Sequence, residues 1–286
     1  MLISIVIVNW NTRDLLRRCL QSIYDNPPTS DFEIIVVDNA SSDSSAEMVR
    51  EGFPGIMLIA NTENTGYAEG NNIGFSAAKG NMLLLLNPDT EVQPGAIDAL
   101  IRCMVRHPDA GAVAGKLIYL DGRVQSSCRS FPEPMSIMYD YLRLSRLFPQ
   151  SKRFGAYRMT WFDYESEIEV DQPMASCMLT SRNILDEIGV FDIDFPIFFN
   201  DVDWCYRAKQ KGFKIYFTPY AEIVHHVGGS TRQVKPAMVR ESHISLKRFY
   251  AKHYKNKISP ILYYLIMAAI SVNMFISLRL KPIVKR

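Results

Sequence analysis

The chain has 286 residues, 48% of them hydrophobic and 22% charged, which is enough to bury a sizeable core and ordinary for a globular protein. Its 32 basic and 30 acidic side chains leave a net charge of +2, too balanced for a dedicated nucleic-acid binder. Five cysteines (Cys19, Cys103, Cys128, Cys177 and Cys205) form an odd set with no C-x-x-C spacing, which argues against a disulfide framework or a zinc site and for a reducing cytosol.

Leu2 to Val8 is an apolar run rich in β-branched residues and predicts a first strand ending at Asn9-Trp10-Asn11. It has no basic n-region and is not read as a signal peptide. Thr12 is placed to cap the next helix, in which Leu15, Leu16, Cys19, Leu20, Ile23 and Tyr24 share a face before Pro27-Pro28 stops it. A second strand over 34–37 delivers Asp38 and the turn from Asn39 to Asp43, then a short polar helix and a strand over 56–59 follow. Strand and helix in alternation predict a parallel sheet.

Residues 64–74 lead into a helix ending near Gly80. Their glycines at 66, 70 and 74 permit close backbone approach, and the amides opening the helix could face a phosphate. Neither the G-x-G-x-x-G nor the G-x-x-x-x-G-K-[ST] order is present. Leu83 to Leu86, bounded by Asn87-Pro88, predict a buried strand, central and parallel, that carries Asp89 just past its carboxyl end. Open α/β sheets bind ligands there, and a carboxylate at that point can hold a divalent cation against phosphate oxygens. A helix over 94–105 and a strand over 112–118 come next.

From 119 to 169 the alternation breaks, and aromatic residues mix with basic ones from Tyr139 to Trp161. This predicts a variable, partly mobile insert that meets the second substrate. Snorkelling side chains or a face toward anionic lipid fit the low net charge better than base stacking, and an ordinary amphipathic surface helix is the alternative. Residues 170–180 return to the core, Ser181 caps a helix ending at Gly189, and Asn200-Asp201-Val202-Asp203 opens a helix ending at Gly212. Acids in a first helical turn suit the dipole, and the same position keeps a carboxylate at a cleft, as a base needs. A strand over 213–217 leads to the stretch from Ile223 through His225 and His226 to Val227-Gly228-Gly229-Ser230.

Residues 260–278 carry no charge, with Lys252, Lys255 and Lys257 before them and Arg279, Lys281, Lys285 and Arg286 after. The run is borderline for a span, diluted by Ser271 and Asn273, and basic at both flanks. In-plane or re-entrant membrane association is therefore expected before a crossing, with packing on its own domain or in a homodimer as the alternative.

Val8-Asn9-Trp10-Asn11, Val37-Asp38-Asn39-Ala40-Ser41, Asn64-Thr65-Gly66, Leu86-Asn87-Pro88-Asp89 and Asn200-Asp201-Val202-Asp203, in this order, resemble the family 2 glycosyltransferases, most of all their bacterial rhamnosyltransferase-like branch. The resemblance implies an α/β GT-A fold: a mostly parallel central sheet flanked by helices, with a C-terminal helical, membrane-associating tail. It divides the chain into a nucleotide-sugar-binding half (1–118), an acceptor-binding half with a variable insert (119–235) and C-terminal helices (236–286). Val8, Asn9, Asp38, Asn64, Gly66, Asn71, Asn87 and Asp89 would bind the donor, Asp38 through the pyrimidine base or ribose. Asp89 corresponds to the last acid of the family's D-x-D motif and Asn87 stands where the first often is, which implies weaker binding of Mg2+ or Mn2+. One of His225 and His226 would complete the metal site. Asp201 corresponds to the general base, with Asn200 where the family often has Glu. Ala175, Ser176, Cys177 and Asp203 would face the acceptor, Asp203 orienting and pairing with Arg207.

The implied enzyme is a metal-dependent, inverting transferase at the inner face of the cytoplasmic membrane, peripheral to it. Rhamnose from dTDP-rhamnose is the expected donor, a glycan or polyprenyl-linked glycan the acceptor, and no nucleic acid is expected as partner. A UDP-hexose donor is the nearest alternative. A nucleotidyltransferase is disfavoured because Asn9-Trp10-Asn11-Thr12-Arg13 is not a Gly-rich triphosphate loop. A non-catalytic, membrane-associated nucleotide-sugar-binding subunit is the rival of another class, motivated by Asn87 and Asn200 in place of acids.

Overall fold

A computed structural model of the chain describes residues 1–226 and 235–279. Val227 to Ser230, and the basic residues Lys281, Lys285 and Arg286, lie outside the described residues. The first strand, β1 (Ile3–Asn9), is buried at every position, as a strand covered on both faces must be. α1 (Arg13–Asp25) buries Leu16, Cys19, Leu20 and Ile23, while Tyr24 stays exposed and stacks on Phe53. Thr12 stands at the N-cap without capping: its hydroxyl donates instead to Asn9 Oδ1 at 2.6 Å, which ties the loop after β1.

β2 (Phe32–Asp38), α2 (Ser45–Gly52), β3 (Met57–Ala60), α3 (Gly66–Ala77) and β4 (Met82–Leu86) continue the alternation. α3 lies close on β1, since a Cβ at Gly74 would come within 2.3 Å of Val6 Cγ1 and one at Gly70 within 2.7 Å of Val8 Cγ1. β5 (Thr90–Val92), α4 (Ala96–Arg106), β6 (Ala110–Ile118), β7 (Cys128–Arg129), α5 (Pro134–Tyr141) and α6 (Leu144–Leu147) follow. Then come β8 (Ile168–Val170), β9 (Gln172–Pro173), β10 (Cys177–Ser181), α7 (Arg182–Ile188), α8 (Asn200–Gln210) and β11 (Lys214–His225). Ser181 caps α7 as expected, its Oγ accepting from Ile184 N–H, and Gly189 ends it.

The main sheet runs β3-β2-β1-β4-β10-β6-β11-β5, with β8 also paired to β11, while β7 and β9 form a separate pair. β1, β2, β3, β4, β6 and β11 point one way, and β5, β8 and β10 the other, so the sheet is mostly parallel. β4 is central as expected, parallel to β1 but antiparallel to β10 on its other side. Its leucines alternate between layers. Leu84 and Leu86 join the core under α1 and α4, and Leu83 and Leu85 join the one under α3 and α8.

The 119–169 segment is in part packed on the rest of the fold. Phe131, Met159, Phe162 and Tyr164 enter the second core, and its cations lie over its own rings, Lys152 over Trp161 at 4.9 Å and Arg153 over Tyr139 at 5.8 Å. These contacts hold part of the segment together, while Leu142, Leu147 and Phe148 stay exposed. α9 (Lys235–His253) and α10 (Pro260–Arg279) close the described chain. The two polar residues of the apolar run are used within the pair: Ser271 Oγ accepts from Lys247 Nζ at 2.7 Å, and Asn273 Oδ1 bonds His243 Nε2 at 2.8 Å. Ile270 packs inward, whereas Ile261, Tyr264, Leu265, Val272, Phe275 and Ile276 recur at helical spacing on the opposite, exposed side.

Candidate active site

The carboxyl ends of β1 and β4 open into a cleft of about 410 Å3. Val8, Asn9, Asn64, Gly66, Asn87, Asp89, Ala175, Ser176, Asp201 and His225 of the expected set all line it. Asp89 leaves β4 on the Asn87-Pro88 turn and is 7% exposed. Its neighbour in space is His225, the last residue of β11, because β11 pairs with β5 so that His225 faces Thr90. His225 Nε2 lies 3.4 Å from Asp89 Oδ1. His226 donates its backbone N–H to Asp89 O at 2.8 Å but turns its side chain elsewhere, Nε2 2.7 Å from Glu91 Oε1, so of these two imidazoles it is that of His225 that lies on the Asp89 carboxylate. An imidazole and a carboxylate at this spacing fit as donors to one divalent cation, whose N and O ligands sit about 2 Å from the ion.

Asn87 is not such a donor. Its Oδ1 accepts from Tyr67 Oη at 2.9 Å and its Nδ2 donates to Ser176 Oγ at 3.1 Å, which pins the floor of the cleft to the approach to β10. An aspartate there could not donate to Ser176, so the amide is built into the floor. Burial, then the nearby Asp201 and Asp89 carboxylates, push the Tyr67 phenol well above its usual range, and it serves as a neutral donor.

Asp201, second residue of α8, stands at the cleft floor. Its Oδ1 accepts from Val202 N–H at 2.9 Å and its Oδ2 from Ala175 N–H at 3.2 Å. Burial raises its carboxyl above the ordinary 3.8 against the pull of these amides, giving a more basic carboxylate than a solvated one. Asn200 is 2% exposed, donating to Phe195 O at 3.1 Å and accepting from Asp201 N–H at 2.9 Å. It locks the turn and leaves Asp201 as the acid of this pair in the cleft.

Several expected residues lie elsewhere. Asp38 is 3% exposed and sits behind the wall, its carboxylate accepting from Asn9 Nδ2 at 2.8 Å and Ser41 N–H at 2.9 Å. Asn71 donates to Tyr67 O within α3, and Cys177 is buried in β10. The amides opening α3 do not face the cleft as a phosphate site, because Tyr67 and Ala68 N–H both donate to Pro196 O. Asp203 is wholly buried against α9, bonded by Lys252 Nζ at 2.6 Å, His253 Nε2 at 2.7 Å and Arg207 Nε at 2.8 Å. Burial pushes its carboxyl up, yet these three partners outweigh it and hold it at about 2. It ties α8 to the C-terminal helices and does not reach the acceptor side.

Tyr67, Asn39, Trp10, Met174, Ile197, Phe198, Phe199 and Met238 also line the cleft and were not anticipated as site residues. Trp10 and Asn39 sit inside the motifs quoted above, but the apolar members carry no local signature. Cys103, His107 and Glu167 form a separate group whose ligand-type atoms lie within 4.8 Å of one another. Glu167 takes Arg106 Nη2 at 2.6 Å and His107 Nε2 at 2.9 Å, while burial pushes the Cys103 thiol up to about 12. A protonated thiol and a paired carboxylate make this group a brace between α4 and β8.

A mostly parallel sheet flanked by helices, with an acid at a β4 turn, a histidine at a strand end and a second acid opening a helix, defines a glycosyltransferase of the GT-A class. A mannosyltransferase from Pyrobaculum calidifontis in complex with GDP-Man and Mn2+ shares the fold with a TM-score of 0.61 over 96% of this chain and 71% of its own, at 18% identity. GalNAc-T7 with UDP, GalNAc and Mn2+ does so with a TM-score of 0.61 over 96% and 55%, at 16% identity. The description "Glycosyl transferase family 2" matches residues 4–169, and the chain belongs to that family. An N-acetylglucosaminyl-diphospho-decaprenol L-rhamnosyltransferase of Mycobacterium tuberculosis is 27% identical over 234 residues, 77% of this chain and 75% of the relative. A low-salt glycan biosynthesis hexosyltransferase of Haloferax volcanii is 22% identical over 228 residues, 78% and 67% respectively. The chain is thus similar to a rhamnosyltransferase of this family.

Proposed function

We propose that this glycosyltransferase moves rhamnose from dTDP-rhamnose, with inversion, onto a polyprenyl-linked glycan at the inner face of the cytoplasmic membrane. The observation that carries the reading is the meeting of Asp201 with the Asp89–His225 pair in one cleft at the strand ends. Asp201 takes the proton of the acceptor hydroxyl as its oxygen attacks the sugar C1, because the hydroxyl becomes acidic only as that bond forms. Asp89 and His225 would hold Mg2+ or Mn2+, which supplies Lewis-acid stabilisation of charge on the departing diphosphate. Asn87, Tyr67 and Ser176 keep the floor rigid between the two substrates, and Ala175 N–H holds Asp201 in place.

The donor assignment is supported by the Mycobacterium relative, whose name also carries a decaprenol-linked acceptor. An apolar stretch of the cleft, Met174, Ile197, Phe198 and Met238, suits such an acceptor, and α10 offers a mean hydropathy of 2.0 with 11% of its apolar window buried. With its inner side on α9 and its outer side apolar and exposed, α10 lies in the plane of the membrane surface. Titration calorimetry against a panel of nucleotide diphosphate sugars, with Mn2+ or Mg2+ and then chelator, tests the reading. Metal-dependent binding of dTDP-rhamnose alone supports it; selective binding of a UDP-hexose replaces the donor, and binding without turnover favours a non-catalytic subunit.

A further inference from the structure

We infer that Gln125 is a positioning residue for the metal site, fixing the tautomer of His225 so that its Nε2, beside Asp89, is the nitrogen left to take the metal. The inference rests on the reading of Asp89 and His225 as metal ligands. Gln125 is 4% exposed and comes from a tight return after β6, in which Tyr119 N–H donates to Arg123 O and Gly122 takes a φ of +80°. The return lays Gln125 across the end of β11, a hundred residues away in the chain.

The orientation of its amide follows from its partners. One end lies 2.7 Å from His225 O and 3.3 Å from Ile118 O. Both are carbonyls, which accept and never donate, so that end must be the NH2 group. The other end is then the amide oxygen, and it lies 2.9 Å from His225 Nδ1. An amide oxygen cannot donate either, so Nδ1 carries the ring proton. A ligating imidazole is neutral and has one such proton, so with Nδ1 protonated it is Nε2, 3.4 Å from Asp89 Oδ1, that is left to take a metal. Gln125 thus does for His225 what outer partners do for ligating histidines generally: it sets which nitrogen binds and holds the ring plane. His226, with its ring nitrogen on Glu91, has no such arrangement toward the cleft.

The test is made on the full chain without substrate. With 15N-labelled histidine, long-range proton–nitrogen correlation of the metal-free protein reads the tautomer of each of the 5 histidines, and His225→Gln identifies the His225 signals. The expected result is a proton on His225 Nδ1. Mn2+ affinity, followed by electron paramagnetic resonance, is expected to fall about 10- to 100-fold in Gln125→Leu, as for other outer partners of metal ligands. A wild-type His225 that carries no proton on Nδ1, or a folded Gln125→Leu that binds Mn2+ as tightly as wild type, overturns the inference while leaving the metal site standing. Wild-type protein that binds no Mn2+ overturns the metal reading, and the inference with it. Should Gln125→Leu fail to fold, the wild-type spectrum still decides.

Discussion

Asp201→Asn isolates the base, because it removes a charge and one acceptor at almost constant volume. The carboxylate accepts one backbone N–H on each oxygen, Val202 at 2.9 Å and Ala175 at 3.2 Å. An asparagine can satisfy one and must turn its NH2 toward the other, which costs about 1–3 kcal/mol of stability and is visible in a urea melt. Turnover should fall about 10^2- to 10^4-fold, the contribution of a well-placed general base. Donor affinity measured by calorimetry on the same variant should hold, since Asp89 and His225 are untouched. The wild type should also lose activity as pH falls through a value above 3.8, because burial raises the Asp201 pKa and a protonated base cannot accept the hydroxyl proton. Initial rates across pH at saturating donor read both effects. Undiminished turnover in Asp201→Asn, or an acid limb that persists in it, refutes the assignment.

Asp89→Ala and His225→Ala should each weaken metal-dependent donor binding in calorimetry, whereas His226→Ala, which loses only its Glu91 partner, should bind donor like the wild type; wild-type binding that ignores chelator would contradict this. Asp203, held at about 2 against an ordinary 3.8, contributes about 2 kcal/mol of pH-linked stability. Because its pKa is lowered on folding, that stability is present above about pH 4 and is lost as pH falls toward 2; denaturant midpoints equal at pH 6 and pH 3 would show that the ion cluster contributes none of it. Deleting residues 259–286 should release the protein from anionic vesicles in a sedimentation assay. Retention on vesicles would show that α10 is not the anchor, and loss of a dimer on deletion would assign the exposed side of α10 to a second copy.

Much of this architecture is legible from local pattern. The runs at 3–9, 32–38 and 82–86 are strands because continuous apolar residues suit two covered faces, and the turn after Leu86 places Asp89 where ligands bind. The direction of β10 is not legible: a buried strand's own residues say that it is covered, not which neighbour it pairs with or which way it runs. β5, β7 and β9 are two or three residues long and fall below any periodic signal. Among polar residues the same divide appears. Asp201 and Asp89 carry local signatures, but Asp38 and Asp203 look like site acids until Asn9, His253 and Lys252 are brought to them by the fold. Gln125 shows no sequence signal at all, since its partner is a hundred residues downstream.

The seat of β10 between β4 and β6 bears on how the chain is made. In a chain that ends after β6, β4 lacks its β10 partner and β6 lacks both β10 (residues 177–181) and β11 (residues 214–225), so these edges stay unpaired until the later segments arrive. Those edges are apolar and hydrogen-bond hungry, the kind that captures other chains. Completion therefore depends on a strand that is added late, between segments already present, in a topology of long sequence separations that folds slowly. The protein should accordingly lean on chaperones during synthesis, and fragments ending near residue 118 should be insoluble where the whole chain is not.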